Sequence, residues 1–476
     1  MSVHPLHPDT NTIEDLTVHE VGDLSLWIGQ QKQYCNVPGY VSNELCQRTA
    51  LLPSVSELLP PTSLPVLQLL EFPTPRITSA IPGIIPGGSF SFYEATHTSL
   101  ECCQIPAPTS DLLRKLRASA GQAMLDGKVS IQHWDRKDIF LPFDALGTWA
   151  FILEIDIAKK AWINALHWME DQRHAIPEEY IERIKSLLGQ VPWKDYIKGL
   201  GSDLTTTEMA TLLSKKWLSD AHIYTMLAVT RHLCHNMLSC ADPCIEIASC
   251  DFASHVLTSP LLSTTPITSD YFRNAPKSVI RLGNKVKCAA SGMIIAAVAY
   301  SPENHWACLL INSQARTIQW GDSMGRAMPT GGEDRLRAWL SLFLPHTQFQ
   351  PLQNLSCASQ SDSYSCGVIA VNTLKHHLFG DDLWTLPCRE TLRVEEFLDI
   401  MEFSESQKAN VSVSALCTLL NACTEKLMLT ATHTNSTRHH KYLSLPPYTT
   451  RCTCPLRCTT NHKTCLPSCL PITDHM

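Results

Sequence analysis

The clearest capacity for chemistry in this chain lies in SQSDSYSCGVIAVNTL, Ser359 to Leu374, where Cys366 stands among small polar residues and is followed at once by Gly367. Val368, Ile369, Val371 and Leu374 fall on or near one face at helical spacing, which predicts an amphipathic helix beginning at Cys366. A thiol at a helix N-terminus meets the positive end of the peptide dipoles and unpaired backbone N–H groups, and both favour the thiolate. Gly367 lets a substrate backbone approach closely. The plainer reading is a buried cysteine that opens a core helix, because cysteine is among the most buried residue types.

A nucleophilic cysteine needs a base, a group that orients the base, and donors for the oxyanion that forms when a carbonyl is attacked. With twenty histidines in the chain, the presence of one says nothing. His-Trp occurs three times. His133 follows a loop and His167 lies inside a helical pattern, whereas His305 sits at a strand start, between apolar runs ending at Tyr300 and beginning at Trp306. Asp322 ends the neighbouring strand TIQWGD, so two adjacent strands could place a carboxylate beside an imidazole, fixing its tautomer and stabilising the imidazolium. Gln360, across a polar turn from Cys366, is placed for its side-chain amide to join the Cys366 backbone N–H in an oxyanion hole. Taken singly, His305 reads as a turn histidine, Asp322 as a turn or cap and Gln360 as a solvated loop residue. Their joint order is the signal.

That order, NHW, then GDS, then QSDSYSCG, resembles the ubiquitin-like-protein proteases, the family of SUMO-deconjugating cysteine peptidases. The upstream segment KKWLSDAHI matches the family's Trp-Leu-x-Asp motif at Trp217, Leu218, Ser219 and Asp220. The resemblance covers roughly residues 203–430 and implies an α+β, papain-like peptidase domain, with histidine before cysteine in the chain. It implies Cys366 as nucleophile, His305 as general base and then acid, Asp322 as its orienter and Gln360 as oxyanion donor. Trp217 and Trp306 would sandwich a Gly-Gly tail, although both could be core aromatics; Asp220 would lie at the substrate rim, with Gly367 beside the nucleophile. Ser365 stands where the family often has Asp, which leaves the triad intact and the choice of modifier open. The implied partner is a SUMO-like ubiquitin-like protein and its conjugates, with no metal or organic cofactor.

The rest of the chain must carry this domain. The first hundred residues are punctuated by Pro53, Pro60, Pro61, Pro65, Pro73, Pro75, Pro82 and Pro86, which argues for an irregular or partly disordered segment over 1–109. Its leucines could form a strip that docks on a partner. Residues 110–202 read as a helical region: a helix capped by Ser110, a long one over 148–172, and a shorter one in IPEEYIERIKSLLG. From 203 the pattern alternates between helices and short buried strands at 294–300, 306–312 and 317–323, an α+β texture. A net charge of −7, with 38 Lys and Arg against 45 Asp and Glu, gives no global basic field for nucleic acid or anionic membrane. The N-terminus lacks the layout of a secretory signal, and no apolar run is long enough to span a bilayer. Twenty cysteines, fifteen of them scattered over the first 423 residues, fit reduced thiols in an intracellular protein of nucleus or cytoplasm. No oligomer is expected.

Over 431–476 the chain becomes a polar tail holding Cys452, Cys454, Cys458, Cys465 and Cys469 around His462, ligand types zinc prefers at a spacing that fits no common finger. Cys234, Cys240, Cys244 and Cys250 form a weaker zinc candidate, and His376 and His377 read as helix-surface residues too far along to serve Cys366. Two other functional classes remain open: a catalytically silent module that grips a ubiquitin-like protein, and an acyltransferase on the same scaffold. A third reading places the main function in the N-terminal half.

Overall fold

The computed structural model describes residues 39–73, 76–77, 89–134, 136–201, 203–237, 244–262, 269–289, 292–301 and 305–407. The cysteine-rich tail and Cys240 lie outside these residues. The segment expected to be irregular contains helix α1 (Gly39–Arg48) and short helical turns at Pro53–Ser56 and Val66–Glu71. Proline opens the first turn and precedes the second, positions where its missing N–H costs nothing. Val55, Leu59, Val66 and Leu69 are fully or almost fully buried, so these apolar residues dock on this chain's own core.

Three helices follow: α2 (Ser110–Leu125), α3 (Ala145–Asp171) and α4 (Glu178–Leu188). The cap of α2 is Thr109, whose hydroxyl accepts the Leu112 N–H, and Ser110 is already the first helical residue. A small antiparallel sheet of β1 (Phe90–Ser91), β2 (Ser130–Gln132) and β3 (Phe140–Leu141) flanks α2 in sequence. Among the described residues no helix is long and apolar enough to cross a membrane.

The site is built on a second sheet with strand order β4-β5-β6-β7-β8: β4 (Cys244–Ile247), β5 (Met293–Ser301), β6 (His305–Asn312), β7 (Thr317–Gly321) and β8 (Gln353–Asn354). The central strands pair antiparallel, Ser301 opposite His305 and Cys308 opposite Gly321, while both outer pairs are parallel. Alternation along β6 sends Trp306, Cys308 and Leu310 to one core and Ala307, Leu309 and Ile311 to another, which explains why the strand reads as an unbroken apolar run. Helices α5 (Asp220–Met237) and α9 (Cys366–Phe379) cover the first face, while α6 (Cys250–Thr258), α7 (Lys277–Cys288) and α8 (Gly332–Phe343) cover the second.

Helix α9 departs from the amphipathic pattern: every residue from Cys366 through Lys375 is buried. One flank packs on β6 and another is covered by α10 (389–407), the last helix among the described residues. The Lys375 ammonium, buried on that flank, lies 2.7 Å from Glu396 and 3.3 Å from Asp399 of α10. The core holding α9 runs from Leu45 to Met401, so the N-terminal helices and the strands of the site share buried surface. The α+β class expected from the sequence is the class observed.

Candidate active site

Three chain segments end where the chemistry would begin. His305 is the first residue of β6, Asp322 follows the last residue of β7, and Cys366 is the first residue of α9. Antiparallel pairing brings the start of β6 and the end of β7 to the same end of the sheet. His305 Nε2 meets Asp322 Oδ1 at 3.1 Å, and both side chains are almost fully buried. Cys366 is the other side chain that acts on the ring. With Nε2 on the carboxylate, Nδ1 is the ring nitrogen left for the thiol.

Burial is the largest single influence on His305 and opposes its protonation. The interactions with Asp322 and Cys366 outweigh it, and the imidazole is held up at about 9. Asp322 shows the converse balance. Burial pushes its carboxyl up, but hydrogen bonds from His305 and from the backbone N–H groups of Met324 and Arg326 keep it below the usual range. The Met324 N–H lies 2.8 Å from Oδ1. These influences favour the imidazolium over the neutral ring between Asp322 and Cys366.

Gln360 is partly buried and tied on both sides. Its Oε1 accepts the Ser323 hydroxyl at 2.9 Å, while Nε2 donates to Asp362, 2.7 Å from the carbonyl and 3.3 Å from Oδ1. Its backbone N–H donates to the Ser323 carbonyl at 2.7 Å, which fastens this loop to the residue after Asp322.

Asp362, which the sequence reading passed over, organises the nucleophile loop. Its Oδ1 accepts the backbone N–H groups of Tyr364 at 2.9 Å and Ser365 at 2.8 Å, and Oδ2 accepts the Ser365 hydroxyl at 2.7 Å. Arg389 of α10 stands 3.6 Å from Oδ2. Burial pushes this carboxyl up, and the bonds from Ser365 and Tyr364 together with the Arg389 charge bring it below the usual range. An Asp accepting the N–H two residues on is an Asx-turn pattern, readable in Asp362-Ser363-Tyr364.

The proposed rim residues differ in exposure. Trp217 is 49% exposed, whereas Trp306 is 5% exposed, its ring edge-on to Tyr300 and its Nε1 donating to the Leu218 carbonyl at 3.1 Å. Asp220 is exposed at the start of α5, its Oδ1 accepting the Ala221 N–H. Gly367 also has a packing role. A Cβ there would lie 2.8 Å from Ile223 Cδ1, 3.3 Å from Trp306 Cδ1 and 3.5 Å from Leu218 Cβ. The glycine lets α9 close against α5 and the Trp217–Asp220 segment.

Two more thiols lie near the site. The Cys308 thiol donates to the Gly321 carbonyl at 3.2 Å, and the Thr373 hydroxyl donates to the neighbouring Cys357 at 3.3 Å. The interaction with Cys308 is the main reason that the Cys357 pKa is lowered from that of an ordinary thiol, while that of Cys308 is pushed well up. His377 is exposed and bonds the Ser356 carbonyl, and His376 lies beside it at the far end of α9 from Cys366. Among the described residues no group of three or more His, Cys, Asp or Glu is placed to hold a metal ion. Cys234 and Cys250 are buried and Cys244 is exposed.

The site is thus of one class: a cysteine at a helix N-terminus served by an imidazole–carboxylate pair. No family model matches the chain, and no curated protein does. Among solved structures, it is similar to the yeast Ulp1 protease domain in complex with Smt3, the yeast ortholog of SUMO, at 17% identity over 48% of this chain and 94% of that one, TM-score 0.34. The Ulp1-like SUMO protease catalytic domain of Chaetomium thermophilum gives 16% identity over 48% and 88%, TM-score 0.33. The Xanthomonas campestris effector XopD, bound to ubiquitin, gives 19% identity over 39% and 91%, TM-score 0.28. The chemical case rests on the residues of this chain.

Proposed function

We propose that this chain is a cysteine peptidase that cleaves after the C-terminal Gly-Gly of a ubiquitin-like modifier, SUMO-like in kind, maturing precursors or releasing isopeptide-linked conjugates. The observation that carries the reading is the buried His305–Asp322 pair set against Cys366 at the head of α9. A lone buried histidine sheds its proton; this one retains it beside a thiol, as an acid–base group does. The motif order and the Trp-Leu-x-Asp segment support the choice of substrate class.

In the reaction, Cys366 Sγ, its proton passed to His305, forms a bond to the carbonyl carbon of the terminal glycine. The developing oxyanion is met by the Cys366 backbone N–H, one of the first-turn donors without an intrahelical acceptor. Gln360 is the second donor, and offering Nε2 to the oxyanion requires it to relax its bonds to Asp362. His305 passes its proton to the leaving amine nitrogen as the C–N bond breaks. A water then gives one proton to His305 and its hydroxide to the thioester carbon, and the C–S bond breaks, releasing the carboxylic acid, which ionises, and restoring the thiolate–imidazolium pair. Asp322 keeps the imidazole oriented and its charge balanced in both halves. Trp217 and Trp306 would bracket the Gly-Gly segment, which requires the Trp217 turn to open the buried face of Trp306. The reading carries with it an intracellular setting, in nucleus or cytoplasm, and a protein partner rather than nucleic acid or membrane.

The test is incubation of the protein and of Cys366→Ala with SUMO, ubiquitin and other ubiquitin-like proteins bearing a C-terminal thiol-reactive group, read by intact mass. A Cys366-dependent adduct with one modifier is the expected result. Folded protein that reacts with none overturns the reading and leaves a silent binder or a different acyl substrate.

A further inference from the structure

Behind the nucleophile loop, α10 presents an arginine that the chemistry above does not use. Arg393 is 1% exposed, and none of its hydrogen bonds goes to a carboxylate. Its Nε donates to the Leu212 carbonyl at 3.0 Å, and Nη2 donates to the carbonyls of Thr211 at 2.9 Å and Lys216 at 3.0 Å. Those carbonyls belong to the turn that runs directly into Trp217 and Leu218. The remaining nitrogen, Nη1, is buried without a hydrogen-bond partner, and the guanidinium carbon stands 5.6 Å from the centroid of the Tyr364 ring. Arg389, one turn earlier on α10, stands 5.7 Å from the same ring. Tyr364 precedes Cys366 by two residues, on the loop that Asp362 orders.

A buried cation without a paired anion is costly to keep. An apolar residue could fill the volume, and a lysine could carry the charge. Neither could reach three carbonyls on one segment while presenting a flat cationic face to an aromatic ring on another, which is what a planar fork does. We propose that Arg393 is a positioning residue that sets the Trp217 turn and the nucleophile loop in register with each other, so that the rim that admits a substrate tail closes at a fixed position against the thiol that attacks it. This rests on the peptidase reading of the site. The link runs from Trp217 through the carbonyls of 211–216 to Arg393, then through the Tyr364 ring to Ser365 and Cys366.

The test uses the full chain and four variants: Arg393→Met, Arg393→Lys, Trp217→Ala and Tyr364→Leu. Two readouts need no substrate: hydrogen exchange of the amides of residues 211–218, and the rate at which iodoacetamide alkylates Cys366. A third is the rate of adduct formation with the reactive modifier. In Arg393→Met, shown to be folded by a cooperative thermal transition, exchange over 211–218 should rise about tenfold or more. Adduct formation should fall by about tenfold or more, with little further loss when Trp217→Ala is added, because both changes disable the same link. Arg393→Lys should recover only a small part of the rate. Unchanged exchange over 211–218, or losses from Arg393→Met and Trp217→Ala that simply multiply, would overturn the proposal. Should Arg393→Met fail to fold, Tyr364→Leu decides: it leaves the three carbonyl bonds in place, so exchange over 211–218 should hold while Cys366 alkylation changes several-fold. Unaltered alkylation in that variant also refutes the link. If the wild-type protein gives no adduct with any modifier, the peptidase reading fails by itself, while exchange and alkylation still decide the role of Arg393.

Discussion

Replacing Asp322 by Asn removes the charge that His305 Nε2 meets at 3.1 Å and keeps a side chain of the same shape. In the wild-type chain, burial drives the imidazole toward neutrality, and Asp322 and Cys366 more than reverse this, raising it from 6.5 to about 9. A difference of that size corresponds to about 3 kcal/mol of folding free energy carried by the protonated ring. His305 is 2% exposed, so solvent screening takes little from that figure. Because the folded-state value is the higher one, the contribution is complete below pH about 6.5, where folded and unfolded chains are both protonated. It is lost as pH rises through about 9. Asp322 is one of two partners, so Asp322→Asn should cost about 1–3 kcal/mol at pH about 6. The cost should narrow by pH about 10 to a remainder set by how well Asn accepts the Met324 and Arg326 N–H groups. Urea unfolding at several pH values measures this directly. Turnover near neutral pH should fall by a factor of about 100 or more, as expected when a base loses its orienting carboxylate. If the stability gap between the two proteins is the same at both ends of the pH range, the carboxylate does not hold a proton on His305 and the reasoning is wrong.

Asp362→Ala frees the N–H groups of Tyr364 and Ser365 and the Gln360 amide, and should lower kcat by about 10- to 100-fold with a loss of about 1–3 kcal/mol in urea unfolding. Cys357, its pKa lowered from that of an ordinary thiol and its side chain partly exposed, should be labelled by iodoacetamide at neutral pH well ahead of buried Cys308. Peptide mass mapping after brief exposure checks this, and Thr373→Val, by removing one stabilising donor, should slow the labelling. Gly367→Ala places a methyl 2.8 Å from Ile223 Cδ1 and should destabilise the fold by about 1–3 kcal/mol, with part of the loss recovered by Ile223→Val.

Much of the site was legible because its residues lie at the ends of strongly patterned elements. The apolar runs around β5, β6 and β7 locate the strands, and His305 and Asp322 stand out by falling just where those runs start and stop. Cys366 stands out for the same reason at the head of α9. The supporting residues carry no such mark. Arg393 and Arg389 lie in a segment that reads as an ordinary charged helix, and only the tertiary packing of α10 on the nucleophile loop gives them partners. The early proline-rich segment misleads in the opposite direction. Proline density excludes long helices, but it permits short turns that begin at or just after a proline, and those turns are what bury Val55, Val66 and Leu69. Gly367 shows in the sequence as a missing side chain, and only the packing shows that Ile223 and Trp306 stand where one would lie.

The architecture divides the work between a fixed part and a part that must move. Cys366 through Lys375 are buried on every side, and α9 is tied to α10 by the Lys375–Glu396 pair, so the nucleophile cannot shift without disturbing the core. His305 and Asp322 are likewise set by a continuous antiparallel ladder. The turn before α5 is different: Lys215, Lys216 and Trp217 are exposed, and much of its hold on the fold passes through the carbonyls that Arg393 gathers. Trp306 and Cys366 are covered in the resting chain, so a substrate tail can reach the thiol only if something gives way, and the Trp217 turn, with Lys215, Lys216 and Trp217 exposed, is the segment that would yield. Selectivity for a substrate would then be decided by the energy needed to open the Trp217 turn, and reactivity by a triad that the opening leaves in place.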